Sequence, residues 1–91
     1  MIELYTKNHC PFCVQAKMQL NKMDIPFKEI NIETFPAARE FVIAEGHRTM
    51  PQIYHNGKLL VEGGAQELAK LSKDDINTAL GNFDFDISMK L

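Results

Sequence analysis

Cys10 and Cys13 are the chain's only cysteines, and their setting limits the fold more than any other feature. An apolar, β-branched run, Ile2-Glu3-Leu4-Tyr5-Thr6, precedes them, and a helical pattern follows. Cys-x-x-Cys between a strand and a helix, in a βαβ setting, reads as a redox site. Pro11 suits a first helical turn, where its missing N–H has no partner to lose. The helix is predicted to run to about Met23. On a 3.6-residue wheel Cys13, Ala16, Leu20 and Met23 share one face, with Phe12 at its border and Cys10 off it. The spacing therefore predicts an exposed Cys10 and a Cys13 turned toward the core. Val14 and Met18 fall elsewhere on the wheel, which predicts a helix covered on more than one side.

The rest of the chain extends this into an α/β domain. Phe27–Ile32 alternates as a second strand. Thr34 is placed to cap a second helix with Pro36 in its first turn, Ala38, Phe41, Val42 and Glu45 give helical spacing, and Gly46 suits its C′ position. After Met50-Pro51, two short β-type runs, 52–55 and 58–61, flank Asn56-Gly57, a strong hairpin signal. Gly63-Gly64 opens a third helix with Leu68 and Leu71. Ser72-x-x-Asp75 reads as a capping box for a short fourth helix bearing Ile76 and Leu80 and closed by Gly81. The order β-α-β-α-β-β-α makes the first two strands parallel and the last two antiparallel. It predicts a four-stranded mixed sheet with helices on both faces. The tail Asn82–Leu91, where Phe83, Phe85 and Ile87 alternate with polar residues, reads as an extra strand, a flap over the core or a partner-binding arm, with a packed structural tail preferred.

The 91 residues, 45% apolar and 24% charged, suit one globular domain. A net charge of −2 with mixed signs gives no basic field for nucleic acid or an anionic membrane surface. No apolar run approaches the roughly 20 residues of a bilayer span. Met1 leads into a strand without a basic n-region or an h-region, so no secretory leader is expected and the expected home is the cytoplasm. There a reversible or metal-binding cysteine pair is more usual than a structural disulfide. Two cysteines supply half of a closed zinc site, and His9, His47 and His55 form no ligand spacing with them, so no metal is expected.

Several stretches now agree. Lys7-x-x-Cys10-Pro11-Phe12-Cys13, Thr49-Met50-Pro51-Gln52-Ile53-Tyr54, Asn56-Gly57, and Gly63-Gly64 followed by Glu67-Leu68 resemble a dithiol glutaredoxin over about residues 1–80. The resemblance implies a thioredoxin fold, glutathione as reductant, and reduction of protein disulfides and glutathione mixed disulfides by a monomeric enzyme. It implies Cys10 as nucleophile, Cys13 as resolving thiol and a cis bond before Pro51. Lys7, Phe12, Thr49, Met50, Pro51, Gly64, Ala65 and Gln66 become the expected glutathione contacts, and Lys7, with Arg39 or Arg48, is expected to meet the glycyl carboxylate. Two departures stand out: Phe12 where the family often has Tyr, and Ala65-Gln66 where it often has a small residue and Asp.

The chemistry needs these residues. A free thiol with pKa about 8.5 is only about 3% thiolate at pH 7. A helix N-terminus and a nearby Lys7 favour the thiolate and make Cys10 a better leaving group. Expected partners are glutathione and disulfide-bearing or glutathionylated proteins, ribonucleotide reductase among them. Two other readings remain at this level. One is a redoxin served by thioredoxin reductase. The other is an iron–sulfur carrier, a glutathione-bridged dimer with Cys10 as ligand, against which Pro11 and Cys13 argue.

Overall fold

The computed structural model describes residues 1–81, so the expectation for the tail lies outside the described residues. The elements are β1 (Ile2–Thr6), α1 (Pro11–Lys22), β2 (Phe27–Asn31), α2 (Pro36–Ala44), β3 (Gln52–His55), β4 (Lys58–Val61), α3 (Gly64–Leu68) and α4 (Lys73–Ala79). The expected order is observed, with α4 as the added helix. The sheet order is β2-β1-β3-β4. β1 runs parallel to β2, Leu4 opposite Glu29, and antiparallel to β3, Leu4 opposite Ile53. β3 and β4 form the hairpin, with a register shift at Ile53/Tyr54. Its turn has φ of 53° at Asn56 and 79° at Gly57, the positive pair that a type I′ connection needs.

Strand alternation sends side chains to two apolar clusters. Ile2, Leu4 and Ile53 pack with Ala16 and Leu20 of α1, Leu68 of α3 and Ile76 of α4. Tyr5 and Phe41 pack instead against a second cluster holding Cys10, Cys13, Val42 and Met50. Helices thus cover both sheet faces, and the cysteines lie in the smaller cluster. Ser72 and Asp75 form a full capping box: each side chain accepts a hydrogen bond from the other's backbone N–H.

Four expectations need correcting, the simplest being Leu71, which lies beyond α3 because that helix ends at Leu68. Cys10 is buried, at 8% exposure, because it sits beneath the Met50 segment and beside Val42, contacts no single-helix wheel can contain. Val14 and Met18, at 50% and 66% exposed, face away from both clusters, so the described residues cover α1 on one side. The N-cap of α2 is Phe35, which makes no side-chain cap bond, rather than Thr34. The backbone itself closes this turn, Thr34 and Phe35 N–H both donating to the Asn31 carbonyl. Leu20→Ala is expected to cost about 2–5 kcal/mol of stability by cavity formation, while Met18→Gln stays within about 0.5 kcal/mol; urea unfolding monitored by circular dichroism checks both.

Candidate active site

The site forms where α1 begins. Cys10 is extended, with φ −120° and ψ 97°, and caps the helix with its own side chain. The Cys13 N–H donates to Cys10 Sγ at 3.2 Å and also reaches the Cys10 carbonyl at 3.1 Å. A sulfur in this place receives an N–H bond and the positive end of a 12-residue helix, both of which favour thiolate over thiol. The two cysteines are joined as a disulfide, their Cα atoms 5.2 Å apart. Cys13 is the more deeply buried, at 2% exposure, so the inequality expected between them survives as a difference of degree.

The Met50 segment closes over these sulfurs. Met50 carbonyl oxygen lies 3.6 Å from Cys10 Sγ, and the Met50–Pro51 peptide is cis. Gln52 Nε2 donates to the Thr49 carbonyl at 2.8 Å and braces the segment from within. Beyond it lies a groove of about 200 Å³ lined by Phe12, Thr49, Met50, Pro51, Gly63, Gly64, Ala65 and Gln66. Seven of the eight expected glutathione contacts therefore share one wall system. Gly64 has φ 70°, and a Cβ there would stand 3.2 Å from the Pro51 carbonyl, so glycine serves both the turn and the close approach. Gly63, which the sequence reading placed at the opening of the third helix but not among the expected contacts, also lines the groove.

Lys7 is the eighth, and the structure puts it elsewhere. It lines a larger cavity of about 550 Å³ with Arg39, Arg48, His47, Ile32, Ile43, Gly46 and Met50. Met50 is common to both spaces. Arg39 and Arg48 both line this cavity, so the structure brings the two candidate arginines together without choosing between them. Among the described residues, neither ion pair, Lys17–Glu29 or Lys70–Glu67, involves any of the three cations. Sequence reasoning missed His47 here; its only signal was its place in the segment leading to Met50.

Tyr5, Phe41, Tyr54 and His47 form a chain of aromatic contacts that reaches the cavity through His47. Burial, and then a hydrogen bond to Glu45 and its charge, push the Tyr54 phenol up to about 12, the Tyr5 charge adding least. Burial, with a smaller contribution from Glu3, also raises Tyr5.

With this geometry in view, the glutaredoxin family model matches residues 2–60. The chain belongs to the glutaredoxin family. A probable glutaredoxin of Synechocystis is 39% identical over 69 residues, 74% of this chain; the chain spans 62% of that protein's length. Glutaredoxin 3 of Escherichia coli is 37% identical over 71 residues, 77% of this chain and 83% of that protein. The glutaredoxin-like protein NrdH of Lactococcus lactis is 38% identical over 72 residues, 79% of this chain and all of that protein. Among solved structures, the NrdH-redoxin of Escherichia coli matches with TM-score 0.64 at 27% identity, covering 85% of this chain and 91% of that one. The fold is thioredoxin-like, and the protein is a thiol oxidoreductase of the glutaredoxin and NrdH group.

Two outcomes follow from the glutaredoxin-type site. Gly64→Ala is expected to lose about 1–3 kcal/mol and to narrow the groove, read by urea unfolding. The raised Tyr54 pKa means folding favours the protonated phenol. That contribution is complete below the unfolded value of 10.0 and is lost as pH rises through about 12. Phenolate absorbance at alkaline pH checks it, with Tyr54 ionising near 12 in the folded protein.

Proposed function

We propose that this protein is a glutathione-dependent thiol–disulfide oxidoreductase acting on protein disulfides and glutathione mixed disulfides in the cytoplasm. The observation that carries this reading is the groove of about 200 Å³ that gathers Phe12, Thr49, Met50, Pro51, Gly64, Ala65 and Gln66 beside the disulfide. Reduced Cys10, as thiolate, attacks one sulfur of a substrate disulfide; a Cys10 mixed disulfide forms and the other substrate sulfur leaves as thiolate. Cys13 thiolate then attacks the Cys10 sulfur, expelling the second substrate thiolate and leaving Cys10–Cys13. One glutathione thiolate opens that bond at Cys10 and a second removes the first as glutathione disulfide. With a glutathionylated substrate, Cys10 alone suffices.

Binding follows from the walls. The Met50 main chain offers an extended tripeptide one more strand-like rung. The Gly63-Gly64 turn takes the γ-glutamyl end, and the cavity of Lys7, Arg39 and Arg48 takes the glycyl carboxylate through charge-assisted bonds. The Cys10 sulfur, capped by the Cys13 N–H at 3.2 Å, is both the attacking and the leaving atom.

A second reading has its own support. The chain spans the whole of the Lactococcus lactis NrdH protein. The NrdH-redoxin of Escherichia coli is described as having a thioredoxin-like activity profile. Ala65-Gln66 stands where the family often has a small residue and Asp. In this reading thioredoxin reductase, rather than glutathione, reopens Cys10–Cys13.

Turnover of a small mixed disulfide with glutathione and glutathione reductase, set beside turnover with NADPH and thioredoxin reductase, separates the two. Glutathione is expected to support the faster turnover, and the reverse order selects the second reading. Cys10→Ser is expected to abolish activity, while Cys13→Ser keeps the monothiol reaction; activity retained without Cys10 would sink both readings. A Cys13→Ser protein stalled as a mixed disulfide identifies the protein substrate, with ribonucleotide reductase among the proposed partners.

A further inference from the structure

The larger cavity contains a group that the sulfur chemistry leaves unused. His47 lines it, and His47 Nε2 lies 2.6 Å from the Tyr54 hydroxyl. Tyr54 is fully buried, and its hydroxyl donates to Glu45 Oε1 at 3.1 Å. A hydroxyl has one proton to give. With that proton directed at the Glu45 carboxylate, the Tyr54 oxygen accepts from His47, so Nε2 carries hydrogen. Nδ1 is then the ring nitrogen left for a ligand. It is a bare lone pair in the neutral ring and an N–H donor in the imidazolium.

The surrounding charges couple this nitrogen to an anion. Glu45, from the end of α2, stands behind Tyr54, and Tyr5 of β1 meets Tyr54 edge-on at 5.5 Å. Lys7 from the β1–α1 loop, Arg39 from α2 and the adjacent Arg48 share the cavity. A carboxylate bound among them favours the imidazolium, whose Nδ1–H can donate to it. A neutral Nε2–H ring would instead turn its lone pair on the carboxylate.

We propose that His47 is an anion-binding residue of this cavity, held as the Nε2–H tautomer by Tyr54 and Glu45, and that a carboxylate-bearing thiol binds there with uptake of one proton at His47 Nδ1. This rests on the glutathione reading, in which the glycyl carboxylate is the bound group. Binding then weakens as pH rises, because the proton must be drawn from solution.

The test uses the oxidised protein, whose cysteines do not titrate, and S-methylglutathione, whose sulfur cannot exchange. Calorimetry between about pH 6 and 8, in buffers of different ionisation enthalpy, is expected to show up to one proton taken up per ligand. The Kd is expected to rise by at most about tenfold per pH unit. Tyr54→Phe keeps the ring against Tyr5 and Phe41 but frees Nε2. The neutral ring then offers Nδ1–H, so proton uptake falls and the pH slope flattens. His9→Gln, which removes the imidazole beside Cys10, is expected to leave the slope in place. Long-range 1H–15N spectra of the unaltered protein are expected to show neutral His47 with hydrogen on Nε2; hydrogen on Nδ1 overturns the proposal whatever the variants do. Binding without proton uptake overturns it too and leaves the glutathione reading standing. Absence of any binding overturns the glutathione reading and, with it, the ligand named here.

Discussion

Everything at this site depends on the register of β1 with the strand beside it. β1 is bonded on both sides, to β2 in parallel and to β3 antiparallel. Tyr5 lies opposite Gln52, so the residues just before β3 arrive where β1 ends. That places Met50 over Cys10, although 40 positions separate them. β4 runs antiparallel to β3 in turn and, with Val61 opposite Ile53, delivers Gly63-Gly64 to the same edge beside Pro51. A slip of one residue between β1 and β3 would turn Leu4 and Ile53 out of the larger cluster. It would also carry Met50 away from the sulfur, so burial of the core and assembly of the site are enforced together.

Much of this was legible because the signals were local. Asn56-Gly57, Ser72-x-x-Asp75 and Pro11 behind Cys10 state their backbone geometry within a few residues, and each forms as read. The two-faced sheet followed from element order alone. The misreadings concern contacts between elements far apart in sequence. A helical wheel places Cys10 relative to α1 but knows nothing of the Met50 segment that lies over it. The same wheel assigned Val14 and Met18 a covering that no described element provides. Thr34 looked like a cap because its type is right, yet the chain there is closed by the Asn31 carbonyl.

The candidate site shows the same division. The motif set named the groove's lining almost completely, since Thr49–Pro51 and Gly64–Gln66 are contiguous stretches. What it could not show is that Lys7 belongs to a neighbouring space, with Met50 the shared wall. His47 escaped notice for a related reason. Its significance lies in Tyr54 and Glu45, whose side chains meet it only after α2 and β3 have packed around Phe41.

The sulfur that caps α1 has one further consequence. Serine and cysteine side chains both present a terminal atom to the N–H of the residue three places on, but oxygen is the better acceptor and serine is a preferred N-cap. At position 10, therefore, selection for reactivity and selection for helix stability pull in different directions. A lineage relieved of its redox task would be expected to drift toward serine there while keeping its fold intact. The cysteine at this capping position is a weaker cap than serine, and it leaves a sulfur rather than an oxygen at the positive end of α1.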